Sequence, residues 1–116
     1  PLAFDAMDAI GAATGSGAVL VLDESRDIVD VVTRIAGFFE HESCGKCAPC
    51  REGTARTHQL MHKLNDGLGS SEDIALLEKL GGVMSCSCLC GLGQAAPAPV
   101  LSTIKHFNAD YNAKIV

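Results

Sequence analysis

Apolar side chains recur at steps of three and four along most of this chain, the spacing that lines one face of a helix. From Ile28 the row runs through Val31, Val32, Ile35, Phe38 and Phe39 before Glu40, His41 and Glu42 end it. Ser25 is the expected N-cap of that helix, with Asp27 in the first turn, where negative charge suits the helix dipole. A second helix is predicted over residues 51–64, through Leu60, Met61 and Leu64, with Gly67 and Gly69 as its stop. Ser70 and Ser71 offer N-caps for a third, with Glu72 and Asp73 in its first turn and Ile74, Leu77 and Leu80 on its face. The Gly81-Gly82 pair weakens its far end. Pro99, placed at a first turn, opens a last helix through Leu101, Ile104 and Phe107.

The remaining segments break this period. Residues 1–22 are apolar and glycine-rich, and residues 18–22 read as a short buried strand after Gly15-Ser16-Gly17. That triplet follows no strand, so it is a turn rather than a dinucleotide-binding loop. Residues 43–50 and 85–93 carry cysteines, glycines and no apolar repeat, and are expected to be loops. The fold class that follows is mostly α: a small antiparallel helical bundle of about four helices with a short β-containing N-terminal lead-in. The two cysteine loops would cap helix ends and meet at one end of the bundle.

Length and charge narrow the function. A chain of 116 residues amounts to one domain, too little for a multidomain enzyme acting alone. A net charge of −5 argues against a partner held through phosphates, so no nucleic acid is expected. Apolar runs such as residues 17–22 are far too short to cross a bilayer, and no direct membrane insertion is expected. The chain opens on Pro1 with no signal-like segment, and reads as a piece of a larger cytoplasmic protein. In a reducing compartment its six cysteines are expected to bind metal or carry redox chemistry rather than form disulfides.

Cys44, Cys47 and Cys50 form C-x2-C-x2-C. Equal two-residue gaps let a tight loop wrap one side of a 4Fe-4S cubane and present three thiolates to three irons. Residues 52–54 supply no fourth cysteine, so the last ligand must come from Cys86, Cys88 or Cys90. Spacing does not choose among them, although Gly91 and Gly93 favour Cys90 by letting backbone approach a bulky inorganic core. The alternative is a structural zinc-binding interaction domain, which more often uses two separated C-x2-C pairs or adds histidine. Lys46 and Arg51 flank the cysteines and are candidates to offset cluster charge. His58 and His62 are one helical turn apart but lack further ligands at matching spacing, so they and His106 are expected in surface or packing roles. His41, beside the cysteine loop, is a weaker candidate for proton coupling. The acidic residues lie at helix starts, where capping explains them, and no catalytic residues are expected in this chain.

The run E-S-C-G-K-C-A-P-C-R-E-G-T at residues 42–54, with C-G-L-G at residues 90–93, resembles the iron-sulfur module of the flavoprotein subunit of NADH dehydrogenases, the NuoF family. The resemblance extends over nearly the whole chain. It implies a tail of an SLBB-like β-grasp domain over residues 1–24 and a helical 4Fe-4S domain over residues 25–116. It also implies one 4Fe-4S cluster on Cys44, Cys47, Cys50 and Cys90, receiving electrons from FMN reduced by NADH. In the family FMN and NAD(H) bind upstream, and the partners are a 2Fe-2S thioredoxin-like subunit and downstream iron-sulfur subunits. The segment G-L-G-Q-A-A-P-A-P-V-L-S-T-I at residues 91–104 is more similar to the NAD-linked hydrogenase and formate dehydrogenase members. Cys86 and Cys88 depart from the family, which has small non-ligating residues at these positions.

Overall fold

The computed structural model describes residues 3–116; Pro1 and Leu2, at the start of the expected lead-in, lie outside the described residues. Seven helices follow one another: α1 (Phe4–Asp8), α2 (Ile28–Glu42), α3 (Ala48–Asn65), α4 (Ser71–Ser87), α5 (Gly91–Ala95), α6 (Ala98–His106) and α7 (Asn108–Asn112). The mostly helical expectation holds, and α2, α3, α4 and α6 are the anticipated four. No membrane-length apolar helix occurs among the described residues.

Side-chain bonds give the directions of the first three long helices. Asn65 Nδ2 donates to Asp30 Oδ1 at 3.1 Å, Thr33 Oγ1 donates to the Met61 carbonyl at 3.3 Å, and His58 Nδ1 lies 2.6 Å from Glu40 Oε2. Partner numbers fall along α3 as they rise along α2, so the two run antiparallel. Between α3 and α4 the same inversion links Lys63 to Asp73 and Thr57 to Met84. The main core lies among α2, α3, α4, α6 and α7, built from Val29, Val32, Leu60, Met61, Leu64 and Tyr111 with their neighbours. A separate apolar cluster gathers Cys50, Met84, Cys88 and Ala96 at the cysteine end.

The face that α2 buries is rotated from the one its apolar row predicts. Val29, Val32, Thr33 and Ala36 are buried, whereas Phe38 is 58% exposed. Close approach of two helix backbones explains this. Thr33 reaches the α3 backbone, and a Cβ on Gly37 would lie 2.9 Å from His58 Nε2, so small residues form the contact and the larger ones turn outward. The N-cap is Asp27, whose carboxylate accepts from the backbone of Val29 and Asp30; Ser25 instead bonds Asp23.

The strand expected at residues 18–22 does not form. These residues are exposed and without a ladder partner, and the isolated bridge among the described residues joins Gly69 and Ile115. A lone segment has no neighbouring strand to pair its backbone groups with. Beyond Gly81-Gly82, where weakening was expected, α4 runs on to Ser87. Gly81 serves packing: a Cβ there would lie 2.9 Å from Leu101 Cδ1 and 3.1 Å from Pro97 Cβ, so its absence lets α6 cross α4. The expected second loop therefore begins at Cys88, and Cys86 stands on a helix.

Candidate metal centre

α2 ends at Ser43, whose hydroxyl accepts from the Gly45 N–H at 3.3 Å and lies 3.3 Å from Cys50 Sγ. Gly45 has φ +72°, a left-handed conformation that turns the chain sharply and favours glycine. Arg51 reaches back across this turn, its Nη1 donating to the Gly45 carbonyl at 2.8 Å and its Nε to Glu52 Oε1 at 3.0 Å. Half of the C-x2-C-x2-C motif is thus helical rather than loop. Cys47 is the N-cap of α3, Pro49 sits in the first turn, and Cys50 is buried one step further on. Pro is tolerated there because first-turn N–H groups have no helical acceptor. Those free N–H groups and the helix dipole make the start of α3 favourable for thiolate charge.

The second cysteine segment meets the first. Cys88 caps the C-terminus of α4 with its N–H on the Met84 carbonyl at 3.1 Å, and its own carbonyl accepts from Gln94 Nε2 at 2.9 Å. Cys90 is the N-cap of α5 and is exposed, as is Cys44. Backbone N–H groups of Leu89 and Cys50 donate to the half-buried Cys47 sulfur and hold its thiol below the ordinary value. Cys88 shifts the other way: burial first, then the neighbouring Cys47 and Cys50 sulfurs, push its thiol up to about 11. It is therefore a neutral thiol enclosed beside two candidate ligands. All six cysteines are free.

Of the four cysteines singled out as ligands, Cys47 and Cys50 are brought into one cluster, joined by Cys88. Cys44 and Cys90 stand exposed on the turn before α3 and at the start of α5. Cys86 bonds the Val83 carbonyl of its own helix at 3.4 Å. Sequence reasoning missed Cys88 as a packed partner of the motif. The available signal was Gly93: a Cβ there would lie 2.6 Å from Cys88 Sγ and 3.0 Å from Cys50 Cβ. Gly93 is thus explained by this thiol pair, while Gly91 faces open space. His58 packs over Gly37 with its ring 4.6 Å from that of His62, a packing role as expected.

Among the described residues, no three His, Cys, Asp or Glu side chains converge on a point that would hold one metal ion. A cubane presents its irons at separate corners, so its thiolates surround a volume instead of meeting at a point. The donor set suits such a group: free thiols, one with a depressed pKa, at a helix start beside an apolar wall of Met84, Ala96 and Phe39.

Comparison with known proteins identifies the lineage. The chain is 40% identical over 115 residues to the F component of the NADH-quinone oxidoreductase of Mycobacterium bovis, covering 99% of this chain and 26% of that protein. It is 37% identical over 112 residues to the mitochondrial NADH-ubiquinone oxidoreductase 51 kDa subunit of Neurospora crassa, covering 97% and 23%. It thus spans about a quarter of the length of the curated relatives it matches. The crystal structure of an NAD+-reducing NiFe-hydrogenase in the H2-reduced state superposes with a TM-score of 0.79 at 36% identity, over 83% of this chain and 17% of that one. Residues 30–114 match the family model of the NADH-ubiquinone oxidoreductase-F iron-sulfur binding region, and the chain belongs to that family.

Proposed function

We propose that this chain is the electron-transfer module of an NAD(H)-linked flavo-iron-sulfur oxidoreductase, with one 4Fe-4S cluster held by Cys44, Cys47, Cys50 and Cys90. The observation that carries this reading is the meeting of the two cysteine segments, in which Cys88 packs with Cys50 and a Cβ on Gly93 of the second segment would lie 3.0 Å from Cys50 Cβ of the first. When bound, a 4Fe-4S cluster supplies one-electron transfer. The protein supplies the rest. Cys44 and Cys90 offer exposed thiols, whereas Cys88 is sealed behind Gly93, which favours Cys90 as the remote ligand. Backbone donors at the start of α3 and from Leu89 offset thiolate charge, and Arg51 adds a cation while clamping the turn. Met84, Ala96 and Phe39 close the inner side with apolar surface.

In the parent enzyme, NADH and FMN occupy other regions, and electrons pass between that flavin and iron-sulfur partners, among them a 2Fe-2S thioredoxin-like subunit. The parent is a soluble hydrogenase, a formate dehydrogenase or an NADH dehydrogenase; residues 91–104 favour the first two. Residues 25–116 form the cluster-binding unit and residues 1–24 the tail of an SLBB-like domain, consistent with a family match confined to residues 30–114.

Anaerobic purification followed by iron, sulfide and zinc analysis tests the assignment. About four irons per chain with sulfur-to-iron charge-transfer absorption is expected, and Cys90→Ala should lose them while Cys86→Ala keeps them. Stoichiometric zinc in a colourless protein would overturn it.

A further inference from the structure

Ser43 closes α2 and stands across the turn from Cys50. Its backbone N–H bonds the Glu40 carbonyl at 3.3 Å, so the helix end fixes where its side chain starts. The hydroxyl then meets two partners. It accepts from the Gly45 N–H at 3.3 Å, a local turn that serine favours, and it lies 3.3 Å from Cys50 Sγ. A hydroxyl has one proton and two lone pairs. The Gly45 bond uses a lone pair, which leaves the proton for the sulfur. Cys50 has little freedom to leave this partner. It is 5% exposed and packed with Met84, Cys88 and Ala96, its carbonyl accepts from Thr54 Oγ1 at 2.7 Å, and α5 presses against its Cβ at Gly93.

We propose that Ser43 is a positioning residue of the metal centre, its hydroxyl donating to the Cys50 sulfur and so raising the reduction potential of the cluster that Cys50 binds. The proposal rests on the cluster assignment above. Between a serine and a free thiol either atom can donate, but a sulfur bound to iron carries no proton, so in the loaded protein the bond runs from Ser43 to Cys50. Reduction adds negative charge that spreads onto the ligand sulfurs, and a donor aimed at one of them stabilises the reduced form more than the oxidised form. Ser43 is half-buried and Cys50 buried, so water competes weakly for this bond. An ordinary net hydrogen bond changes an equilibrium by about fivefold, and the part of it that strengthens on reduction by about threefold. For one electron that is about 28 mV at 59 mV per decade.

The test uses the purified holoprotein, wild type and carrying Ser43→Ala, Ser43→Val or Ser43→Thr, with iron content and a dye-mediated EPR redox titration as readouts. Valine and threonine have the same shape and differ in the hydroxyl, and the extended backbone of Ser43, φ −64° and ψ 125°, accepts both. Ser43→Ala and Ser43→Val should keep the full iron complement and titrate at a potential lower by about 28 mV, the threefold effect above. Ser43→Thr, which retains the donor, should recover at least half of that shift. Ser43→Val replaces Ser43→Ala should the latter not fold. An unchanged potential in the donor-free variants overturns the proposal, as does Ser43→Thr matching Ser43→Val. Loss of iron from both donor-free variants overturns it too, because Ser43 would then be needed to assemble the cluster rather than to set its potential. Wild-type protein without iron overturns the cluster assignment and this proposal together, whereas full iron with an unmoved potential overturns this proposal alone.

Discussion

A methyl group at Gly93 would sit 2.6 Å from Cys88 Sγ, 2.8 Å from Cys88 Cβ and 3.0 Å from Cys50 Cβ. The obstructing atoms are held close to two helix ends, so they cannot swing away as a long side chain would. Gly93→Ala should therefore destabilise the protein by about 1 to 3 kcal/mol and lower iron retention, both measurable by denaturant unfolding and metal analysis. Gly45 is constrained differently: its φ of +72° leaves space for a side chain but strains one. Arg51 combines charge with shape at the same turn. Its removal in Arg51→Ala frees the Gly45 carbonyl and deletes a cation beside the proposed cluster, so the midpoint potential should fall. A redox titration unchanged by Arg51→Ala would overturn this role for the guanidinium.

Helix α4 shows how much one element's start can carry. Ser70 and Asp73 form a reciprocal capping box, and Lys63 Nζ from α3 lies 2.6 Å from Asp73 Oδ2, tying the cap to the neighbouring helix. The Lys63 bond, then those from Ser70, hold the Asp73 carboxyl below its ordinary 3.8. With the folded value lower than the unfolded one, this stabilisation is present above pH 3.8 and drains away as pH falls through the folded value. Asp73→Asn should lower stability at neutral pH and flatten the acid limb of the stability profile below about pH 4, read by urea unfolding across pH. Ser70→Ala should cost about 1 kcal/mol at neutral pH. The Ser70 and Asp73 cap was legible because it depends on residues three apart in sequence. The α2 cap was displaced from Ser25 to Asp27, where the carboxylate also meets Lys114 at 2.5 Å, a partner 87 positions away.

Across the whole molecule, the main core contains no cysteine, whereas the second cluster contains Cys50 and Cys88. Folding of the bundle and order at the metal centre should therefore separate. Iron-free protein should retain its far-UV helical signal while residues 43–50 and 88–95 lose protection from hydrogen exchange. A core substitution should behave in the opposite way. Leu60→Ala removes a side chain 2% exposed between the long helices, and should cost about 2 to 5 kcal/mol with loss of helical signal in one transition. Tyr111 completes that core from α7, fully buried with its hydroxyl 2.8 Å from Thr103 Oγ1, yet α7 is too short to show an apolar period.

The sequence by itself determined that this chain is helical and which four segments form its longer helices, and its C-x2-C-x2-C spacing singled out Cys44, Cys47 and Cys50 as candidate ligands. Those are local properties, set by apolar spacing, capping residues and two-residue cysteine gaps. Tertiary structure decided which face of α2 is buried, because Thr33, Ala36 and Gly37 permit an approach to α3 that larger residues do not. It also decided that α4 continues through two glycines, that residues 18–22 stay unpaired, and that Cys88 rather than Cys86 lies against the motif. Each of these depends on contacts between residues far apart in the chain, and a periodic pattern carries no information about which partner will arrive.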